Sequence, residues 1–149
     1  MKIYEMISES AYDEIVTKVK ENVGEKAAEY ILPAVIKALE EGPGEVRQEI
    51  LLGWLDVDTM RVCTQCGDIM EEGWYLCDAG YACSDKCAAE SENITMAQFE
   101  KWRIYKDDII DYLKREGKGR KIEDLSKKEC HKIIDEVADD CDYYYTEWY

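Results

Sequence analysis

The sequence is poor in histidine, proline and phenylalanine, with one, two and one copies respectively in 149 residues. It has no apolar run approaching the ~20 residues of a membrane-spanning helix, and its opening MKIYEMISESAYDE shows no hydrophobic stretch behind Lys2. Neither a membrane span nor a secretory leader is therefore expected, and the expected location is the cytoplasm, where thiols stay reduced. Gly/Ser linkers, internal repeats and low-complexity tracts are also missing. A chain of this length can build its own hydrophobic core and needs no disulfide framework.

Positive charge is scarce as well. Lys and Arg total 19 against 34 Asp and Glu, a formal charge of −15. The acidity is spread along the chain: residues 1–60 hold 6 basic and 13 acidic residues, 61–90 hold 2 and 6, and 91–149 hold 11 and 15. Such a surface repels naked nucleic acid and attracts a basic protein at low salt. No direct nucleic-acid contact is expected. An enzyme is not expected either, because no paired carboxylates, phosphate loop or nucleophile with a base can be assembled from the pattern.

What the chain does have is cysteine. Of its seven, five lie in CTQCGDIMEEGWYLCDAGYACSDKC, from Cys63 to Cys87, without a histidine among them. An odd count in a reducing compartment argues for metal rather than disulfides. In CTQCG, two intervening residues let Cys63 and Cys66 point into one loop, and Gly67 can take the left-handed turn that follows. In YACSDKC, Ser84 is an N-cap, so Cys83 and Cys87 fall one helical turn apart on one face. The intervening aromatics, with Gly73 and Gly80 as turn points, read as a short hairpin. The order knuckle, hairpin, helix is the treble-clef arrangement, with one zinc ion on Cys63, Cys66, Cys83 and Cys87. Cys77 could replace Cys83 as a ligand only by losing the one-turn pairing with Cys87, and otherwise reads as a small hairpin hydrophobe. A thioredoxin-like reading of CTQC fails for want of a βαβ context. Four thiolates close the coordination shell, so the zinc is expected to be structural rather than catalytic.

These two halves resemble those of small treble-clef fingers of the TRASH and ribosomal L24e-like group, which implies the same four ligands. The finger together with the ending YYTEWY is similar to a set of small phage and mobile-element proteins of Gram-positive bacteria. The likeness covers about the middle fifth of the chain and its last residues. Cys77 departs from the pattern, and the N-terminal third matches nothing in it.

The flanks read as helices, giving an α-rich α+β fold: a helical region over 1–60, the finger with its short β-hairpin inserted at 61–92, and a second helical region over 93–149. Ser10 with Asp13 is expected to cap a helix burying Tyr12, Ile15, Val16, Val19 and Val23 and stopping at Gly24. A second buries Ile31, Leu32, Val35, Ile36 and Leu39, with Pro33 kinking it or starting a new turn before Gly42. A third is expected to bury Val46, Ile50, Leu51 and Trp54. Thr95 and Gln98 cap MAQFEKW, and KDDIIDYLKREG closes at Gly117. Ser126 and Glu129 form a capping box for a helix whose stripe is Cys130, Ile133, Ile134, Val137 and Cys141. Continued to Cys141, that helix would hold its two cysteines about 16 Å apart, so they belong to the core, not to a metal. His131 beside the stripe is an ordinary, partly exposed residue.

Two local charge features remain. KREGKGRK, residues 114–121, carries five basic residues and one acid, and DEVADDCDYYYTEWY closes the chain with six acids and five aromatics. The first reads as a solvated interhelix loop. The second reads as a strand-like terminus on the finger or as an exposed anchor for a partner, through Asp135, Glu136, Asp139, Asp140, Asp142, Tyr143, Tyr144 and Trp148. The expected function is that of an acidic protein-binding inhibitor docking on a basic surface of a host protein. Small phage and mobile-element proteins of this look include anti-CRISPR inhibitors of the type II CRISPR effector nuclease, whose nucleic-acid channel is basic. The alternative is a zinc-finger adaptor or transcriptional regulator that touches nucleic acid through the 114–121 loop. Oligomeric state is not legible.

Overall fold

The computed structural model describes residues 1–76, 80–138 and 145–148, with Glu147 and Trp148 described for their backbone alone. Cys77, Asp139, Asp140, Cys141, Asp142, Tyr143 and Tyr144, all weighed above, lie outside the described residues, as does the Trp148 side chain. The fold is α-rich α+β, with eight α-helices and two small sheets among the described residues. No helix among them is long and apolar enough to cross a membrane.

The N-terminal layer contains α1 (Ile3–Met6), α2 (Glu9–Val23), α3 (Glu25–Glu41) and α4 (Gly44–Gln48), the last continuing as a π-helical turn over Glu49–Trp54. Helix α2 starts two residues earlier than expected: Ser8, not Ser10, is its N-cap and accepts from the Ala11 N–H. Ser8 wins because its backbone N–H and hydroxyl both donate to the Glu71 carboxylate of the finger, fixing the point where the helix begins. The chain turns at Gly24, φ 86, and α3 then runs unbroken through Pro33. Pro33 is on the exposed face with Glu29, so water can satisfy the Glu29 carbonyl that loses its helical donor.

The third expected helix departs most. Val46 and Trp54 are each 39% exposed rather than buried. The π-helical turn explains this: the Leu55 N–H donates five residues back to Ile50, widening the turn and rotating the inward face onto Leu51 and Leu55, which are buried. These residues join Ile15, Val19 and Leu39 in a first core cluster.

The segment expected to form the finger begins with β1 (Arg61–Val62) paired antiparallel to β2 (Ile69–Met70), followed by β3 (Gly73–Tyr75), β4 (Tyr81–Ala82) and α5 (Asp85–Glu92). Beyond it come α6 (Met96–Trp102), β5 (Arg103–Ile104), α7 (Lys106–Glu116), a single 3-10 turn at Ile122–Asp124, α8 (Lys127–Val137) and β6 (Tyr145–Trp148). Thr95 with Gln98 forms the expected capping box for α6, Gly117 ends α7 at φ 72, and Ser126 caps α8 by accepting from the Glu129 N–H. Helix α8 ends at Val137, short of Cys141, after burying Cys130, Ile133 and Ile134.

Strand β6 lies between β3, to which it is antiparallel, and β5, to which it is parallel, in a sheet of order β4-β3-β6-β5. For residues 145–148 the strand-like terminus on the finger is what the structure contains, with Tyr145 and Thr146 each 4% exposed. The sheet joins two further clusters. One centres on Trp74, Phe99 and Tyr145 under the finger, and the other on Ile109, Leu113 and Ile133 between α7 and α8.

Candidate metal centre

Cys63 follows β1 and Cys66 sits one turn later, where the chain reverses toward β2. The Cys63 N–H donates to the Asp68 carbonyl at 2.9 Å, and the Gly67 N–H donates back to the Cys63 carbonyl at 2.9 Å. Gly67 has φ 81, and a Cβ there would lie 3.2 Å from the Gly44 backbone. The knuckle thus both needs the left-handed conformation and rests backbone to backbone on the start of α4. Arg47 locks this contact: its guanidinium donates to the Gly67 carbonyl at 2.8 Å and to the Leu39 and Glu40 carbonyls at 2.8 and 3.2 Å. The last two are C-terminal carbonyls of α3 that have no helical donor.

The second pair arrives through β4. The Thr64 N–H donates to the Tyr81 carbonyl at 2.8 Å, and the Tyr81 N–H donates to the Thr64 hydroxyl at 3.2 Å. These bonds hold the knuckle against the strand that leads into Cys83. Gly80, φ 98, permits the approach, since a Cβ there would sit 2.4 Å from the Thr64 hydroxyl. Ser84 then caps α5, accepting from the Cys87 N–H at 3.1 Å, and the first turn of the helix sets Cys87 beside Cys83.

The four sulfurs of Cys63, Cys66, Cys83 and Cys87 lie within 4.8 Å of one another. Cys66 and Cys83 are 3.5 Å apart, and Cys83 and Cys87 are 3.7 Å apart. A disulfide would need about 2.05 Å. Tetrahedral zinc with Zn–S bonds of ~2.3 Å separates its sulfurs by about 3.8 Å, so the cluster has the size of a four-thiolate shell. These residues lie close enough to coordinate a metal ion, and they form the one such group of His, Cys, Asp and Glu among the described residues.

The electrostatics fit a cation. Burial is the largest influence on Cys63 and opposes its ionisation, yet the N–H groups of Cys66, Cys83 and Gln65 and the Cys66 thiol together bring it down to about 7. Burial pushes the Cys83 thiol up to about 11, with the Cys63 and Cys87 sulfurs acting in the same direction. Cys66 is raised as well, by burial first and then by the Cys63 and Cys83 sulfurs, against the Asp68 N–H. Although Cys66 is an exposed residue, its sulfur faces the other three. Amides aimed at one sulfur and crowding that opposes further ionisation describe a set that a divalent cation would complete by replacing thiol protons. Four thiolates would leave no open position for substrate or water.

A supporting layer was not legible as such. Asp85, at the first position of α5, accepts from Trp74 Nε1 at 2.8 Å and from Arg103 at 3.0 Å. Trp74 packs edge-on against Phe99 at 5.1 Å and Tyr105 at 5.2 Å, and Phe99 stacks on Tyr145 at 5.5 Å. The one available signal was the acid following an N-cap serine, which a helix start explains equally well.

The remaining candidates lie elsewhere. Cys130 is 4% exposed in the α7–α8 cluster, outside the cysteine group. His131 is exposed and stacks on Tyr75 at 6.1 Å. Asp135 and Glu136 are exposed on α8, and Glu136 accepts a hydrogen bond from the Tyr112 hydroxyl. In the basic loop, Arg120 donates to both carboxylate oxygens of Glu116, at 2.6 and 2.8 Å from one nitrogen, and Lys118 lies 3.6 Å from the same group. The Arg120 guanidinium beside Glu116 holds that carboxyl below its ordinary range. The chain matches no protein-family model, and no curated protein and no solved structure is significantly similar to it.

Proposed function

We propose that this protein is an acidic protein-binding inhibitor whose fold is completed by one structural zinc ion in a treble-clef finger. Its ligands are Cys63, Cys66, Cys83 and Cys87. Sulfur spacings of 3.5 and 3.7 Å, the order of knuckle, hairpin and helix, and amides aimed at Cys63 support the zinc reading. In this reading the ion carries no chemistry and the chain acts by contact.

The observation that carries the choice of partner is the disposition of charge. The chain has a formal charge of −15, and in the 114–121 loop Arg120 and Lys118 already face Glu116. The adaptor alternative needs those cations for phosphate. A basic protein surface is therefore the better partner, and a nucleic-acid-handling machine of a bacterial host presents one. The type II CRISPR effector nuclease is the target this reading puts first, on the resemblance to phage and mobile-element proteins.

The test measures target-DNA loading and cleavage by type II effectors with their guides as the zinc-loaded protein is added, beside a pull-down from host lysate. Inhibition that weakens with salt supports the reading. No retained basic protein, together with nanomolar binding to DNA or RNA alone, moves the assignment to the adaptor.

A further inference from the structure

We infer that the groove where α1 meets the first turn of α2 is a receptor for an arginine or lysine side chain presented by a partner protein. This deepens the reading of a basic partner and rests on it. The groove has a volume of about 460 Å³ and is lined by Ile3, Tyr4, Ile7, Ser8, Glu9 and Tyr12. Ile3 and Ile7, each 6% exposed, form an apolar floor. Tyr4 stands 76% exposed at its edge, and Tyr12 is half-buried within it.

Two features select a cation with an aliphatic stem. The side chains of Tyr4, Glu9 and Tyr12 make no hydrogen bond, ion pair or ring contact with any described residue, so the exposed Tyr4 ring and a carboxylate are available around an apolar base, with the Tyr12 ring packed on the core at its side. Aromatic faces attract ammonium and guanidinium groups, and the methylenes of Lys and Arg cover apolar surface while the charge stays at the rim. The surroundings agree in sign: residues 1–14 contain one basic residue, Lys2, against four acids, Glu5, Glu9, Asp13 and Glu14. The positive end of α2 does not turn the groove into an anion site. Ser8 accepts from the Ala11 N–H at 3.1 Å, and its own N–H donates to Glu71 at 3.0 Å.

The experiment uses the full zinc-loaded chain and a short blocked peptide of alternating arginine and alanine, with a glutamate and alanine peptide as control. Amide NMR shifts locate the peptide, and calorimetry at low and physiological salt gives its affinity. The proposal expects shifts concentrated in residues 3–12, no binding of the acidic control, and about a fivefold or greater loss of affinity in a Tyr4→Ala, Glu9→Gln double variant. Tyr4→Phe should retain binding, because it keeps the ring face. Tyr4 and Glu9 are surface residues, so the double variant should keep its zinc and its melting temperature.

Peptide binding that maps to another acidic face, or that is unchanged in the double variant, overturns the groove while leaving a basic partner standing. Mapping to the groove combined with a lysate pull-down that retains no basic protein would overturn the inhibitor reading instead. Absence of any binding at low salt overturns the groove outright.

Discussion

The replacement Cys66→Ser separates a metal centre from a chance gathering of thiols, because its two outcomes differ in size. Cys66 is the most exposed of the four cysteines. Without metal, a serine there should change stability by no more than about 0.5 kcal/mol, as expected for a surface position. With zinc, the same change removes one of four ligands from an ion that contributes roughly 10 to 16 kcal/mol in small finger peptides. The cluster beneath this finger also holds itself together through Trp74, Phe99 and Tyr145, so only part of that amount should be lost. A loss of even about 3 kcal/mol would lower the melting temperature of a chain this size by about 6 to 12 °C. Elemental analysis after gel filtration gives the zinc ratio, and calorimetric melts with and without chelator give the shift. Trp74, 6% exposed and bonded to Asp85, should redden in fluorescence as its surroundings loosen. Full zinc content in the variant, or a parent protein indifferent to chelator, would refute the metal assignment.

Further outcomes follow from particular contacts. Cys130→Ala should lower stability by about 1 kcal/mol through lost packing, with zinc content unchanged, since the buried thiol lies in the α7–α8 cluster; loss of zinc would place it among the ligands. Asp85→Ala should destabilise by about 1 to 3 kcal/mol by leaving Trp74 Nε1–H and Arg103 without their acceptor, seen as a lower denaturant midpoint. Gly67→Ala forces a Cβ onto φ 81 and to 3.2 Å from Gly44, and should lower stability by about 1 to 2 kcal/mol. Competition with a chromogenic chelator should show weaker zinc retention in that variant, and unchanged retention would mean that the knuckle does not depend on the α4 contact.

Local signals in the sequence held where one residue settles the matter. Thr95 with Gln98, Ser126, Ser84 and the glycines at 24 and 117 mark real helix ends, because capping bonds and left-handed turns are satisfied within a few residues. Ser8 against Ser10 was undecidable locally, since the deciding partner, Glu71, lies 63 residues away. Trp54 was misread because the spacing of Val46, Ile50 and Trp54 assumes 3.6 residues per turn and the π-helical turn breaks that period. Among the cysteines, spacing was informative because each pair is close enough along the chain to bring its own two sulfurs together, a constraint that needs no tertiary knowledge. Of the four-stranded sheet, only a strand-like terminus on the finger was legible, as one of two readings of the tail: β4 and β5 have two residues each, too few to show alternation, and the register of β3 with β6 joins distant parts of the chain.

The position of β6 changes what the finger is. A finger confined to residues 61–92 would hang its hairpin on the ion alone, but here β3 has β4 on one side and β6 on the other. The hairpin rests on Phe99, Tyr105 and Tyr145, all outside that span. The knuckle on the opposite side rests on Gly44 and is held by Arg47. Zinc at Cys63, Cys66, Cys83 and Cys87 would therefore join two helical layers rather than stabilise a separate module. In the inhibitor reading, the ion then serves recognition indirectly: by fixing β3 it fixes β6 and β5 beside it, and so holds the acidic surfaces of both helical layers in one arrangement for a basic partner.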